Sequence, residues 1–381
     1  MDCRARALRQ LDEFIERVPF YGRERNYDRS GHQDVSRLSH LLRYRVLTEE
    51  ELVQRVLAQH PVEISEKFIQ EILWRSYWKG WLELRPKVWA IYAEEVGQLL
   101  AEWSGTARYT AACEGKTELS FFNDWVRELI TTGYLHNHTR MWFASVWIFT
   151  LRLPWQLGAA LFFHHLLDAD PASNTLSWRW VAGIHTPGKF YLARPENIEK
   201  YSEGRWRPKR SELAEDAKPV SGESSFAPTL LKAASNVPPC QGSLVLLHDD
   251  DLSADISDEL GVKEVYYALF TGRKPHQSLK VHEHLSTTRQ DAAARSGASL
   301  ISTAEELAEL ATARGVSTIH AFFPFVGYDA AVLQQLADEI AERKISFVWH
   351  RRGWDEKLFP FARGGFFPFW QKARHLLGPP L

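Results

Sequence analysis

Residues 134–147 read YLHNHTRMWFASVW, and residues 168–180 read DADPASNTLSWRW. In the first stretch Asn137, Arg140, Met141 and Ala144 recur at helical spacing and share one face. His136 and His138 are two apart and do not share a face, which argues against a zinc site. In the second stretch Asp168, Asp170 and Asn174 open like a calcium loop. Ser173 stands at the sixth position, where Gly is needed, and Arg179 at the twelfth, where a bidentate carboxylate is needed, so calcium is rejected. Trp178 and Trp180 flank Arg179, an aromatic-plus-cation surface suited to stacking a base or a flavin.

Working outward, residues 66–84, 134–152 and 155–167 carry apolar side chains at helical spacing, punctuated by Gly133 and Pro154. Phe68, Glu71, Arg75 and Trp78 fall on one helix face with Trp74 beside them. That Glu and Arg are either a surface i, i+4 pair or two charges lining a polar pocket, and an isolated helix favours the surface pair. Residues 214–243, rich in Pro, Ser, Ala and Gly, read as a linker. Beyond it, short apolar runs at 244–247, 264–270, 316–323 and 345–349 alternate with helical patterns at 304–314 and 329–343, the sign of βαβ units. The expected fold is multi-domain: an all-α domain over 1–213, a linker, and a smaller α/β domain with a parallel sheet over 244–381.

Composition narrows the function classes. The 381 residues are 45% hydrophobic and 25% charged with a net charge of −2, so global charge does not make a polybasic nucleic-acid binder. Residues 127–210 nevertheless hold 11 Lys and Arg against 6 Asp and Glu. The three cysteines, Cys3, Cys113 and Cys240, are scattered and odd in number, which excludes a disulfide framework and suits a reducing compartment. The N-terminus has no signal-peptide core, and the most apolar stretch, residues 141–151, is too short to span a bilayer. These features predict a cytoplasmic protein without a membrane partner. Twelve of the 15 Trp precede residue 207; a Trp-rich core, base or cofactor stacking, and electron hopping all fit that bias.

The ordered series VSRLS (35–39), EILWR (71–75), GYLHNHTRM (133–141), Trp155, DADPASN (168–174) and WRW (178–180) resembles the flavin domain of the photolyase/cryptochrome family over about residues 15–210. The resemblance implies a U-shaped FAD, active when reduced. Its counterpart contacts are Tyr21, Ser36, Arg37, Leu38, Ser39, Phe68, Arg75, Asn137, Arg140, Asp168, Asp170 and Asn174. Val35 replaces the usual Thr of the turn, and Phe68 and Tyr134 stand where many members carry Trp. Glu71, Trp74, Met141 and Trp180 match positions facing a cyclobutane pyrimidine dimer, and Asn137, in place of a second His, points to the cyclobutane class rather than the six-four class. Trp103, Trp155 and Trp178 match the electron-transfer triad.

The implied activity is blue-light-driven repair of those dimers, a light-dependent carbon–carbon lyase acting as a monomer on damaged DNA. Glu71 and Asn137 would contact the reacting bases. Arg179, Lys189, Arg194, Arg205, Arg207, Lys209 and Arg210 would contact phosphates. Two other classes remain open: a cryptochrome-like photoreceptor without repair, and a non-catalytic DNA-binding module, which predicts a colourless protein. Residues 243–252 resemble the opening strand, and residues 366–370 the closing stretch, of the family's antenna domain. That domain usually comes first, so a swapped order is expected; no antenna pigment site is assigned.

Overall fold

The computed structural model describes residues 3–377 apart from 187, 224, 256–257, 261–264 and 273–275. Every regular element among the described residues before β1 is helical. The helix Val62–Glu83 lies at the centre and buries residues around its whole circumference, among them Phe68, Ile69, Leu73, Tyr77 and Trp81. Pro61, which caps it, carries no N–H to satisfy, so it starts the helix at no hydrogen-bonding cost. Near its end Gly80 admits a close approach: a Cβ there would stand 2.9 Å from the Phe359 Cα.

The expected continuous helix over 134–152 is shorter and mixed. Gly133, in the left-handed region at φ 68°, closes the preceding helix Ser120–Thr132. The next helix, Asn137–Ser145, starts where the His136 ring accepts from the His138 N–H at 3.2 Å. It then widens into a π turn, Val146–Thr150.

The second half holds a five-stranded parallel sheet: β1 (Leu244–Leu247), β2 (Tyr266–Phe270), β3 (Ser299–Ile301), β4 (Thr318–Phe322) and β5 (Ser346–His350), in the order β3-β2-β1-β4-β5. The central strand β1 is buried on both faces, as is usual in a parallel sheet. Leu244 and Leu246 face one core with Leu307 and Leu336, while Val245 and Leu247 join the core of the helical half. The molecule is thus an all-α half followed by an α/β half.

Residues 214–243, expected as a linker, contain no helix or strand among those described, yet they are pinned to their surroundings. Val220 N–H donates to the Ala182 carbonyl (2.9 Å), Thr229 N–H to Leu84 (2.8 Å) and Ser235 N–H to Trp349 (2.8 Å). After β5 the chain crosses back, and the helix Phe366–Leu376 packs on Val62–Glu83.

Ion pairs join the two halves at the carboxyl ends of the strands. Arg43 meets Asp250 at 2.5 Å, and Arg45 meets Asp355 at 2.7 Å and Asp251 at 3.4 Å. Arg352 also binds Asp251, at 2.6 Å. Open α/β sheets take ligands in this crevice, where the strand order reverses. Here it is filled, leaving a void of about 10 Å³ beside Arg45, Glu83 and Arg352.

Candidate active site

A cavity of about 840 Å³ opens in the helical half. Its first wall is the turn at residues 35–39, where Arg37 takes φ 54° and the Ser36 carbonyl accepts from the Gln10 amide at 2.6 Å. The turn leads into the short helix Ser39–Arg43. Ser36, Arg37, Leu38 and Ser39 all line the cavity.

Facing the turn, Arg75 is held from two sides, by Glu49 at 3.1 Å and by Asp170 at 3.1 Å. Asp170 also caps the helix Pro171–Val181 by accepting from the Ser173 N–H at 2.8 Å. Burial alone would raise the Asp170 carboxyl, but Arg75, Lys79 and Arg43 outweigh it and hold it below its ordinary range. This answers the question left by Glu71 and Arg75: they are not each other's partners. Glu71 meets Arg25 at 2.5 Å, and burial raises its carboxyl against the pull of that guanidinium.

Arg140 grips Asp168 through both terminal nitrogens, at 3.0 and 2.9 Å, and donates from Nε to the Leu135 carbonyl at 2.9 Å. Such bidentate pairing fixes the plane of the guanidinium. The Asn174 amide is fixed by donating to the Ala159 carbonyl at 2.8 Å. Tyr21 and Phe68 meet edge to face at 5.0 Å.

All twelve residues matched to cofactor contacts line this one cavity, and so do Glu71, Trp74, Met141 and Trp180. Trp74 is backed by Phe366, ring on ring at 3.8 Å and 7°, and Trp180 lies against Tyr191 at 6.0 Å and 24°. The donor set fits FAD. The serine turn and Arg75 suit a pyrophosphate, the Arg140–Asp168 pair and Asn174 suit the polar edge of a flat ring, and the volume is in the range of cofactor sites.

The three tryptophans matched to the triad sit differently. Trp178 lines the cavity and touches Phe162 at 5.1 Å. Trp155 stacks on Tyr92 at 5.6 Å and 25°. Trp103 is partly buried at the end of Lys87–Trp103. No ring-stacking pair joins the three among the described residues.

The phosphate set needs correction. Arg179 is 6% exposed, donates to the Glu223 carbonyl at 2.6 Å, and lies over the rings of Trp155 and Phe226. Residues 214–243 cover it, so it does not meet a phosphate. Arg205 pairs with Asp28 at 2.8 Å, Arg207 with Glu199 at 3.3 Å and Arg210 with Glu196 at 3.5 Å. Arg194 donates to the Glu215 carbonyl at 2.9 Å, while Lys189 and Lys209 are exposed.

Sequence reasoning missed Arg25, Asn26, Glu49, Asn197, Tyr201 and Phe367. Glu49 follows Thr48 in a run of three acids, which reads as an ordinary solvated first turn; nothing in the pattern marks it as 1% exposed. No group of three His, Cys, Asp or Glu among the described residues could hold a metal ion. No helix among them is long and apolar enough to cross a membrane.

A helical domain whose cleft combines a serine turn, a clamped arginine and an aromatic flank offers a donor set suited to a flavin dinucleotide, and the comparisons with known proteins point the same way. Residues 68–204 match the FAD binding domain of DNA photolyase. The deoxyribodipyrimidine photo-lyase of Vibrio cholerae is 30% identical over 189 residues, covering 48% of this chain and 40% of that protein. That of Thermus thermophilus is 31% identical over 214 residues, covering 52% and 48%. Cryptochrome DASH of Idiomarina loihiensis is 30% identical over 164 residues, covering 40% and 33%. A bacterial class III photolyase from Agrobacterium tumefaciens, solved as a crystal structure, aligns with a TM-score of 0.42 and 26% identity over 52% of this chain and 42% of that one. The chain thus spans less than half the length of these relatives. Over its helical half the chain is similar to members of the photolyase/cryptochrome family.

Proposed function

We propose that this protein repairs cyclobutane pyrimidine dimers in DNA under blue light. One observation carries the reading: the residues matched to cofactor contacts and those matched to lesion contacts, Glu71, Trp74, Met141 and Trp180, share a single cavity. When bound, reduced FAD supplies the light absorption and the electron that splits the dimer. The chain's own residues do the rest. Arg75 and the Ser36–Ser39 turn hold the pyrophosphate, and Arg140, Asp168 and Asn174 orient the ring system.

The dimer is flipped out of the duplex at a cost of about a few kcal/mol. Stacking on Trp74 and Trp180 offsets it at about 1–3 kcal/mol per base, and Met141 lines the same cavity. Glu71, whose carboxyl is raised by burial against the pull of Arg25, hydrogen-bonds one pyrimidine of the dimer, and Asn137 holds a base carbonyl. Trp178, Trp155 and Trp103 would relay electrons from an external reductant, such as a soluble thiol, toward the cavity. Lys189, Arg194, Arg205, Arg207, Lys209 and Arg210 position the duplex. In this reading residues 1–213 are the catalytic unit, 214–243 the connection and 244–381 an antenna-like unit, in a cytoplasmic monomer.

The test is repair of a thymine-dimer oligonucleotide under blue light by flavin-loaded, chemically reduced protein. Repair above a dark control supports the proposal. A flavin-loaded protein that leaves the dimer intact overturns it in favour of a photoreceptor, and a protein that takes up no FAD overturns both.

A further inference from the structure

The helix Phe366–Leu376 brings a residue from the far end of the chain to the cavity in the first half. Phe366 is buried and stacks flat on Trp74 at 3.8 Å, so the Trp74 ring plane is fixed from behind. The next residue, Phe367, lines the cavity and is 66% exposed. A Phe left this open forfeits the burial that its size normally brings. It touches Phe366 edge to face at 5.8 Å, which continues the aromatic surface from Trp74 to the rim. Residues 363–377 contain Arg363, Lys372 and Arg374 and no Asp or Glu; Arg363 and Lys372 are exposed. An exposed ring at the mouth of the cavity, on a segment of one charge sign, matches a nucleobase attached to a phosphate backbone.

We propose that Phe367 is a further substrate-contacting residue, stacking on a nucleobase of the lesion strand at the mouth of the cavity, with Phe366 as the positioning residue for Trp74. The inference rests on the dimer-repair reading and adds a contact to it from the α/β half of the chain. The contact is made with the base, so it acts on damage preference and leaves the cofactor cradle alone.

The experiment measures affinity of the FAD-loaded full chain for an oligonucleotide with one thymine dimer and for its undamaged twin, in wild type, Phe367→Ala and Phe367→Trp. Thermal midpoint and flavin spectrum check that each variant is folded and loaded. Loss of one base stack predicts that Phe367→Ala weakens dimer binding about 5- to 150-fold, with undamaged binding changed less than twofold and Phe367→Trp near wild type. A wild type that prefers dimer DNA, together with a Phe367→Ala variant of equal preference, overturns this inference and leaves the repair reading standing. A wild type with no preference for dimer DNA overturns the repair reading itself, and this inference with it.

Discussion

Glu49→Gln removes one charge from a place where three cations converge. The carboxylate is 1% exposed and lies 3.1 Å from Arg75, 3.3 Å from Lys79 and 3.4 Å from Arg45. Burial by itself would raise its pKa; Lys79, Arg45 and Arg75 overcome this and hold it well below the usual carboxylate range. Gln keeps the shape and leaves the three cations facing a neutral amide. Breaking a buried pair costs about 3–5 kcal/mol, and for a cooperative unit of about 150–250 residues each kcal/mol shifts the melting midpoint by about 2–4 °C. The expected loss is roughly 6–20 °C by differential scanning fluorimetry at pH 7. Because the native pKa is depressed, this contribution exists above the unfolded value near about 4.3 and fades as the pH falls below it. The gap between variant and wild type therefore narrows toward acid. Arg75 also loses one of its two anchors, so the FAD-to-protein ratio after gel filtration should fall. A Glu49→Gln midpoint within 1 °C of wild type, with unchanged FAD content, would refute the view that this carboxylate holds the cradle's arginine.

Three further outcomes follow from the geometry. Glu71→Gln should keep bound FAD and lower the repair yield per absorbed photon; an unchanged yield removes Glu71 from the chemistry and leaves it as the partner of Arg25. Replacing Arg207 and Lys209 by Ala should make the slope of log K against log salt shallower by up to about 2, from about 0.9 per phosphate contact, with damage preference intact; a changed preference at constant slope would contradict their assignment to the backbone. His32 sits between Asp28 at 3.2 Å and Glu128 at 3.1 Å. Burial pulls its pKa down, but these carboxylates push it up to about 9. Its stabilisation, up to about 3 kcal/mol, is complete below the unfolded value of about 6.5 and lost as the pH rises through 9. Melting curves of His32→Gln should lack that decline between pH 6.5 and 9, and a wild-type midpoint flat across this range would count against it.

What the sequence disclosed and what it hid follow one physical division. Residues whose spacing carries chemistry, such as Ser36–Ser39, Arg75, Arg140 and Asp168, were legible because their order along the chain is distinctive. The strand–helix alternation of the second half was legible because apolar runs and helical periods differ. The helix Leu279–Ser296 was not, since few of its residues are apolar: only Val281, Leu285, Thr288 and Ala292 are buried. The strand Ser299–Ile301 is three residues long, too short for a pattern. Partners brought together by the fold left no local trace. Arg25 reads as one of several exposed arginines until Glu71 appears beside it, and Arg179 reads as a surface cation until residues 214–243 are laid across it.

The bond between Arg45 and Asp355 spans 310 residues of sequence, and that between Arg43 and Asp250 spans 207. During synthesis the helical half emerges first, at about 5–20 residues per second. Two buried arginines and the apolar face that later meets the sheet then wait for their partners until the last strands and Asp355 arrive. Until then the helical half would present unpaired surface of the kind that chaperones bind. Slowing translation within residues 214–350 should lengthen that exposure and lower the soluble yield, while leaving the stability of the finished protein as it was.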